Sequence, residues 1–176
     1  MKNIVAISGS LRKNSYNTQV LNEIKKIAGN DYNFEILDIS KIPIFNQDDE
    51  NNNRPEIIDR LLNKIDKADL IIISTPEYNY SIPGVLKNAL DWFSRGNIPA
   101  FINKKVAITS SSISSFGGIR AQSHLREVLF AMEVDFINSK ELFVSNSNEI
   151  FRDNKLTDEK TLKRIRKFTQ NILEQI

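Results

Sequence analysis

A polar loop near the N-terminus carries the residue types of an anion site. Gly9 permits a tight turn after an apolar segment, and the short polar side chains of Ser10, Ser15 and Asn17 follow it. Beside a helix N-terminus, free backbone N–H groups and the helix dipole favour a bound anion. Arg12 adds a fixed charge whose forked donors suit phosphate. The loop is neither a Walker A loop nor a GxGxxG loop, because the further glycines are missing. Its residues nevertheless predict a phosphate site. The alternative is a polar turn with an ordinary helix cap.

A second loop is held between two prolines, Pro76 and Pro83. Because proline fixes the backbone φ angle, the peptide groups between them are stiff. Such a backbone can present N–H and C=O groups to the edge of a planar ring, while Tyr78 and Tyr80 provide wall surface. The alternative is a structural loop whose tyrosines pack on a neighbouring segment. Thr75 stands where a response regulator needs its phospho-acceptor aspartate, so that class of protein is excluded.

A third loop, residues 110–118, is rich in serine and ends in Gly117 and Gly118. Its hydroxyls and backbone amides can donate hydrogen bonds to the polar end of a flavin ring. The two glycines let a ligand approach the start of the next helix. A flexible serine-rich connection explains this loop nearly as well when the loop is considered alone.

Composition excludes several kinds of chemistry. The chain has 176 residues, no cysteine and one histidine, His124. Disulfide frameworks, thiolate nucleophiles and cysteine-ligated metals are therefore excluded, no metal site is predicted, and redox chemistry would need a bound cofactor. A serine hydrolase is excluded because Ser10 lacks the GxSxG elbow and His124 falls within a predicted helix, at the surface or an interface. We nominate no side chain as a catalytic acid or base.

Charge and hydropathy limit the partners of the chain. Lys and Arg number 24 and Asp and Glu 22, so the net charge of +2 is too balanced for coating nucleic acid or an anionic membrane. The longest apolar run, residues 70–73, is far shorter than the roughly 20 residues of a membrane-spanning helix. No targeting segment is recognisable at the N-terminus. We therefore expect a single domain over residues 1–176, cytoplasmic, with no nucleic-acid or membrane partner.

Short β-rich segments alternate with helical patterns along the chain. The expected strands are residues 4–7, 34–37, 70–73, 106–108 and a segment within 136–144 that is interrupted around 138–139. The expected helices are residues 17–28, 55–65, 83–93, 118–132 and 158–176. Residues 39–53 are expected to form a long polar loop, and Trp92 to be a core or an oligomer contact.

Five strands, each followed by a helix, predict a parallel sheet with helices on both faces. The predicted fold class is α/β, a flavodoxin-like three-layer sandwich with a five-stranded parallel sheet of order 2-1-3-4-5. In such a sheet, ligands bind at the carboxyl ends of the strands, near the switch point between the first and third strands. The three loops described above all emerge there, and they therefore predict one ligand site.

Three segments resemble the NAD(P)H-dependent FMN reductase family, which includes quinone, chromate and azo-dye reductases with a flavodoxin-like fold. The segments are residues 9–17 (GSLRKNSYN), 76–92 (PEYNYSIPGVLKNALDW) and 117–122 (GGIRAQ). They follow the family's order across most of the chain, and the second is highly specific. Two features depart from the family pattern: Ser114 stands where glycine is common, and residues 47–53 match no family motif.

The resemblance implies a non-covalently bound FMN. By the family pattern, its phosphate would be held by Ser10, Arg12, Ser15 and Asn17. The isoalloxazine ring would be lined, largely through backbone groups, by Glu77, Tyr78, Asn79 and Tyr80, with Ser112 at its far end. The resemblance also implies a homodimer or homotetramer, with the helix after the Pro76 loop at the interface.

The function implied is an FMN-dependent oxidoreductase that passes electrons from NADPH or NADH to small-molecule acceptors: quinones, azo compounds, metal oxyanions or free flavin. No Rossmann-type acidic residue is present to indicate which nicotinamide nucleotide is preferred. The first alternative is a flavodoxin-type carrier, which binds FMN but takes its electrons from a partner protein. Such carriers are strongly acidic and have a Thr-Gly-rich phosphate loop, so the net charge of +2 favours the reductase. A flavin-binding regulatory or scaffold protein is a third alternative.

Overall fold

The computed structural model describes residues 1–96 and 98–176. The central sheet contains β1 (Lys2–Ser8), β2 (Tyr32–Leu37), β3 (Leu70–Thr75), β4 (Lys105–Ser111), β5 (Asp135–Phe136) and β6 (Leu142–Val144). Its strand order is β2-β1-β3-β4-β5, β6 also pairs with β4, and every pairing in it is parallel. The predicted order 2-1-3-4-5 is therefore confirmed.

Helices cover both faces of this sheet. They are α1 (Tyr16–Ala28), α2 (Gln47–Asn52), α3 (Glu56–Asp66), α4 (Gly84–Phe93), α5 (Ile119–Ala131), α6 (Ser147–Ile150) and α7 (Glu159–Leu173). One core packs α3, α4 and α5 against the sheet, and a second core packs α1 and α7 against its other face. None of the helices in the described ranges is both long enough and apolar enough to cross a lipid bilayer.

The central strand β3 contributes to both cores. Ile71 and Ile73 face the core of α3, α4 and α5, whereas Leu70 and Ile72 face the core of α1 and α7. Successive side chains of a strand point to opposite faces, so a strand covered on both sides needs an apolar residue at every position. This explains the continuous apolar run. As the middle strand of the sheet, β3 has its carboxyl end between those of β1 and β4.

The fifth strand is split, as its sequence predicts, but over a longer interruption. β5 pairs with residues 105–106 of β4, and β6 pairs with residues 109–111. Residues 137–141 therefore lie opposite only residues 107–108, which is too short a stretch of β4 for regular pairing. The surplus chain leaves the sheet between β5 and β6.

The expected polar loop over residues 39–53 contains a helix, α2, which the sequence analysis did not predict. Asn46 caps α2, because its side chain accepts a hydrogen bond from the Asp48 N–H at 3.1 Å. Acidic residues follow in the first turn, where the helix dipole favours them. The side chains of residues 51 and 52 lie outside the described part of the chain.

The same loop is fixed to α4. The Pro43 carbonyl accepts hydrogen bonds from Asn88 Nδ2 and Trp92 Nε1, both at 2.9 Å. Phe45 packs edge-on against the Trp92 ring, with 5.0 Å between the ring centroids. Trp92 is fully buried, so of the two roles expected for it, the structure shows the core position.

Candidate functional site

A cleft of about 410 Å³ lies beyond the carboxyl ends of β1, β3 and β4. All three polar loops line it, through Ser10, Arg12, Ser15, Tyr16, Asn17, Pro76, Glu77, Tyr78, Ser111, Ser112 and Ile113. Of the predicted site residues, Asn79 and Tyr80 lie outside this lining, in the turn that follows Tyr78. Tyr16, Ser111 and Ile113 line the cleft although they were not predicted as site residues, and their position within the loops was the signal that could have identified them.

One end of the cleft is formed by the start of α1. Ser15 is the N-cap, and its Oγ accepts a hydrogen bond from the Thr18 N–H at 3.4 Å. The backbone N–H groups of Tyr16 and Asn17 have no hydrogen-bond partner among the described residues. Arg12 lies beside them, with its guanidinium 4.7 Å from the Tyr16 ring centroid. Free amides, hydroxyls and a cation together make this end suited to a phosphate.

Asn17 has a structural role at the same end of the cleft. Its side chain is only 2% exposed, and Oδ1 accepts hydrogen bonds from Ser74 Oγ and the Ser111 N–H, each at 2.9 Å. Its Nδ2 donates to the Ser111 carbonyl at 3.0 Å. The side chain therefore joins α1 to β3 and β4, and it is the Asn17 backbone N–H that stays free for a ligand.

The turn after Pro76 fixes the two tyrosines of the second loop. Tyr78 and Ser81 exchange two backbone hydrogen bonds, of 2.9 and 3.0 Å. Between them Asn79 and Tyr80 have φ angles of 50° and 64°, which is the geometry of a type I′ turn. Tyr78 and Tyr80 are 52% and 65% exposed. They therefore offer open aromatic surface at the cleft and at its edge.

The Glu77 carboxylate is bound to the start of α5. Oε2 accepts hydrogen bonds from the backbone N–H groups of Arg120 at 2.9 Å and Ala121 at 3.2 Å. Oε1 lies 3.6 Å from Arg120 Nη1, and the Glu77 side chain is 9% exposed. The carboxylate thus caps α5, and the Glu77 backbone is the part left to contact a ligand.

The third loop is held by β6 and α6. The Ser112 N–H donates to the Val144 carbonyl at 3.0 Å, and the Ser112 carbonyl accepts from Ser147 Oγ at 2.9 Å. Ser114 has no positive φ angle, so serine fits where the resembling family commonly has glycine. Gly118 has a φ angle of 90°, and a Cβ there would lie 2.8 Å from Ser110 Cβ. A side chain at position 118 would therefore disturb the loop.

The buried side-chain amide of Gln122 holds the start of this loop. Gln122 Nε2 donates to Ser110 Oγ at 2.8 Å and to the Leu142 carbonyl at 3.0 Å, and Ser110 Oγ in turn donates to the Gly117 carbonyl at 2.6 Å. Gln122 was part of the third matching segment but was not predicted to have a role. His124 lies at the surface, as expected, with Nδ1 3.0 Å from Ser81 Oγ.

Residues 2–149 match a family model described as NADPH-dependent FMN reductase. An NAD(P)H-dependent FMN reductase of Pseudomonas aeruginosa is 40% identical over 158 residues, covering 89% of this chain and 85% of that protein. An NAD(P)H:quinone oxidoreductase of Solanum tuberosum is 40% identical over 170 residues, covering 93% of this chain and 87% of that protein.

The fold comparison agrees with these sequence matches. FerB, a flavoenzyme NAD(P)H:(acceptor) oxidoreductase from Paracoccus denitrificans, has a TM-score of 0.90 to this structure at 30% sequence identity. The match covers 99% of this chain and 96% of that chain. With a family model spanning most of its length and full-length relatives of this similarity, the chain belongs to the NADPH-dependent FMN reductase family.

Proposed function

We propose that this protein binds FMN in the cleft and uses it to oxidise NAD(P)H, passing the electrons to small-molecule acceptors. The observation that carries the proposal is that the two ends of the cleft differ in chemistry. Its α1 end has free N–H groups beside Arg12, and its other end has the open ring of Tyr78. A phosphate and a flat ring system joined in one molecule match these two ends.

The residues present fit FMN in their chemistry. Ser10, Arg12 and Ser15, together with the Tyr16 and Asn17 amides, would hold the phosphate. The ring system would be lined by Glu77, Tyr78, Asn79, Tyr80 and Ser112. The Glu77 side chain is committed to α5 and the Tyr78 N–H to its turn, so we assign Glu77 a contact through its backbone and Tyr78 a contact through its ring.

When bound, FMN supplies the redox chemistry, since it accepts a hydride from a nicotinamide and returns electrons to an oxidant. The chain's own contribution is positioning. Tyr78 would contact the FMN ring, and Tyr80, which is 65% exposed and lies outside the cleft lining, gives a flat surface beside it for a nicotinamide or a quinone ring. We assign no side chain of the cleft as a proton donor.

Quinones are the acceptors that we favour, because the Solanum tuberosum relative is named for them. An open aromatic surface also admits azo compounds, metal oxyanions and free flavin. The relatives described above are named for NAD(P)H-linked reduction, which favours the reductase over the flavodoxin-type carrier.

We further propose one domain over residues 1–176, since α7 completes the core formed by α1 and the sheet. For the assembly we propose a homodimer or homotetramer in which α4 contributes to the interface. Exposed apolar side chains before and within α4, Tyr80 and Val85, support this assembly. A cytoplasmic location is proposed because NAD(P)H is regenerated there.

The test is an anaerobic titration of FMN-reconstituted protein with NADPH and, separately, with NADH. We expect rapid bleaching of the visible absorbance of bound flavin by at least one nucleotide, and the faster reaction identifies the preferred one. Free FMN at the same concentration is the control for reduction without the protein. Absorbance that persists would contradict the reductase and favour the carrier, and a protein that does not bind FMN would contradict the whole site assignment.

A further inference from the structure

A second cavity, of about 420 Å³, lies at the interruption of the fifth strand. One wall is residues 138–142, the chain that leaves the sheet between β5 and β6. The other wall is one face of α7, formed by Arg164, Lys167, Phe168 and Asn171 at helical spacing. The cavity is as large as the cleft described above, and the two share no lining residue.

The cavity is bordered by positive charge. Lys140, Arg164 and Lys167 line it, together with a single carboxylate, Glu141, among the described lining residues. That carboxylate is already paired, since Arg126 Nη2 lies 3.3 Å from Glu141 Oε1. An anion placed in the cavity is attracted by these cations.

Hydrogen bonds fix both walls. Gln175 Nε2 donates to the Asn138 carbonyl at 3.2 Å, and Arg164 Nη2 donates to the Phe143 carbonyl at 3.0 Å. Leu142 and Phe168 close the base of the cavity, and because they are only 2% and 5% exposed they present a small apolar area there. The aliphatic stems of the long basic side chains extend this apolar surface up to the charged rim.

We propose that this cavity is a second binding site, which takes a small aromatic anion: a flat apolar ring bearing one sulfonate, carboxylate or phosphate group. The ring lies above Leu142 and Phe168, against the aliphatic stems of the basic side chains, and the anionic group faces the charged ends of Lys140, Arg164 and Lys167. The site does not depend on the flavin cleft, so this proposal stands or falls separately from the proposed reductase activity.

The first experiment is a titration of ¹⁵N-labelled protein, loaded with FMN and freed of excess FMN, with 2-naphthalenesulfonate, followed in ¹H–¹⁵N correlation spectra. We expect saturable shift changes at residues 138–142 and 164–171, and none at residues 10–17. Parallel titrations with 2-naphthoate and 1-naphthyl phosphate identify which anionic group binds most tightly. Shifts at residues 10–17 alone, or the absence of saturable shifts, would overturn the proposal.

Two matched double variants separate this site from general electrostatic attraction. Lys140→Gln with Lys167→Gln removes two exposed lysines that line the cavity. Lys160→Gln with Lys163→Gln removes two exposed lysines that do not line it. We expect the first pair to weaken binding about tenfold and the second less than about twofold, given the usual strength of exposed ion pairs. Equal weakening by both pairs, or undiminished binding of neutral 2-naphthol in place of the anion, would contradict a specific anion site.

Discussion

Two residues that share a predicted role in phosphate binding, Arg12 and Asn17, have different environments. Arg12 is an exposed residue of the cleft lining, and its guanidinium lies over the Tyr16 ring. Asn17 is buried and joins three elements through its side chain. Substitutions at the two positions should therefore change different quantities, ligand affinity in one case and the free energy of unfolding in the other.

Arg12→Ala is expected to weaken FMN binding by about 1.5–3 kcal/mol, the range for a hydrogen bond to a charged group. The fold should be unchanged because Arg12 holds no buried group. Fluorescence titration of the apoprotein with FMN measures the affinity. Lys13→Ala is the matched control, since Lys13 is also exposed but does not line the cleft. Equal affinity of Arg12→Ala and the wild type would show that Arg12 does not bind the phosphate.

Asn17→Ala is expected to lower the free energy of unfolding by about 2–3 kcal/mol, because it leaves the Ser74 hydroxyl and the Ser111 peptide group unpaired in the core. Urea unfolding of the FMN-free protein measures this loss without any contribution from the ligand. Asn14→Ala, at an exposed position of the same loop, should change stability by less than about 0.5 kcal/mol. A loss no larger than that of Asn14→Ala would contradict the role of Asn17 in joining the elements.

At the scale of elements, Glu77 connects the second loop to α5. α5 has no N-cap side chain of its own, since Gly118 occupies that position. The Glu77 carboxylate supplies the missing acceptor for the first turn. The position of the start of α5, and with it the end of the third loop, therefore depends on the loop that carries Tyr78 and Tyr80.

Glu77→Ala is expected to lower the free energy of unfolding by about 1–2 kcal/mol, the usual cost of losing a helix cap. Glu77→Gln keeps a capping oxygen and should lose less than half as much. Urea unfolding of the two variants beside the wild type gives the comparison. If alanine and glutamine were equally destabilising, the charge pair with Arg120 rather than the cap would be the important contact.

The starts of β1 and β3 are joined by Asp69. Its carboxylate accepts a hydrogen bond from the Asn3 N–H at 2.8 Å and lies 3.1 Å from Lys2 Nζ. The Asn3 hydrogen bond and, to a smaller extent, the nearby lysines lower the pKa of Asp69 below its ordinary value. Since the folded-state pKa is the lower one, this contribution to stability is complete above the unfolded pKa of about 3.9 and is lost as pH falls through the folded-state pKa.

Asp69→Asn is therefore expected to be less stable than the wild type by about 1 kcal/mol at pH 7, since the carboxylate is partly exposed. The two proteins should converge in stability as the pH falls below 4. Thermal unfolding across pH 2.5–7 measures the difference. A gap that stays constant over this range would show that the ionised carboxylate is not the stabilising form.

The order of the sheet could be predicted because local patterns determine it. The run from Leu70 to Ile73 has no polar position and fits only a strand covered on both faces. The unpredicted elements also had local signals. Asn46 followed by acidic residues is a typical helix start. A hairpin joins β7 (Phe151–Arg152) to β8 (Lys155–Leu156). Its two-residue turn is formed by Asp153 and Asn154, whose φ angles are 48° and 60°.

The positions of the site loops could be predicted from the sheet order. The directions in which their side chains point could not. Glu77 contacts amides that lie 43 and 44 positions along the chain, and Asn17 contacts Ser111 across 94 positions. Such distant partners are fixed by the packing of whole elements, so no local pattern could separate a side chain that faces the ligand from one that joins two elements.

At the scale of the whole molecule, a group of exposed apolar side chains lies on the loops that form the cleft and on the start of α5. Large apolar side chains with at least two fifths of their area exposed there include Tyr78, Tyr80, Ile113, Phe116 and Ile119. Exposed apolar side chains grouped beside a cleft favour the binding of another molecule there. They serve equally well for a substrate and for a second subunit.

If a second subunit completes the cleft, dilution should lower the activity per subunit when the oligomer dissociates. Specific activity would be measured across a concentration series in which light scattering gives the mass of the assembly. Saturating FMN throughout separates dissociation of the oligomer from loss of the cofactor. A constant specific activity through the change in mass would show that one subunit holds a complete site.

The interrupted fifth strand also affects how readily another chain can add a strand to this edge of the sheet. The outer edge of a sheet carries unpaired backbone groups, and a long flat edge is a template on which another chain can add a strand. Here that edge consists of strands of two and three residues, with Lys140 in the gap between them. An incoming strand finds no continuous row of hydrogen-bonding groups and meets a charge that it must desolvate, so this edge is a poor template for the addition of a strand.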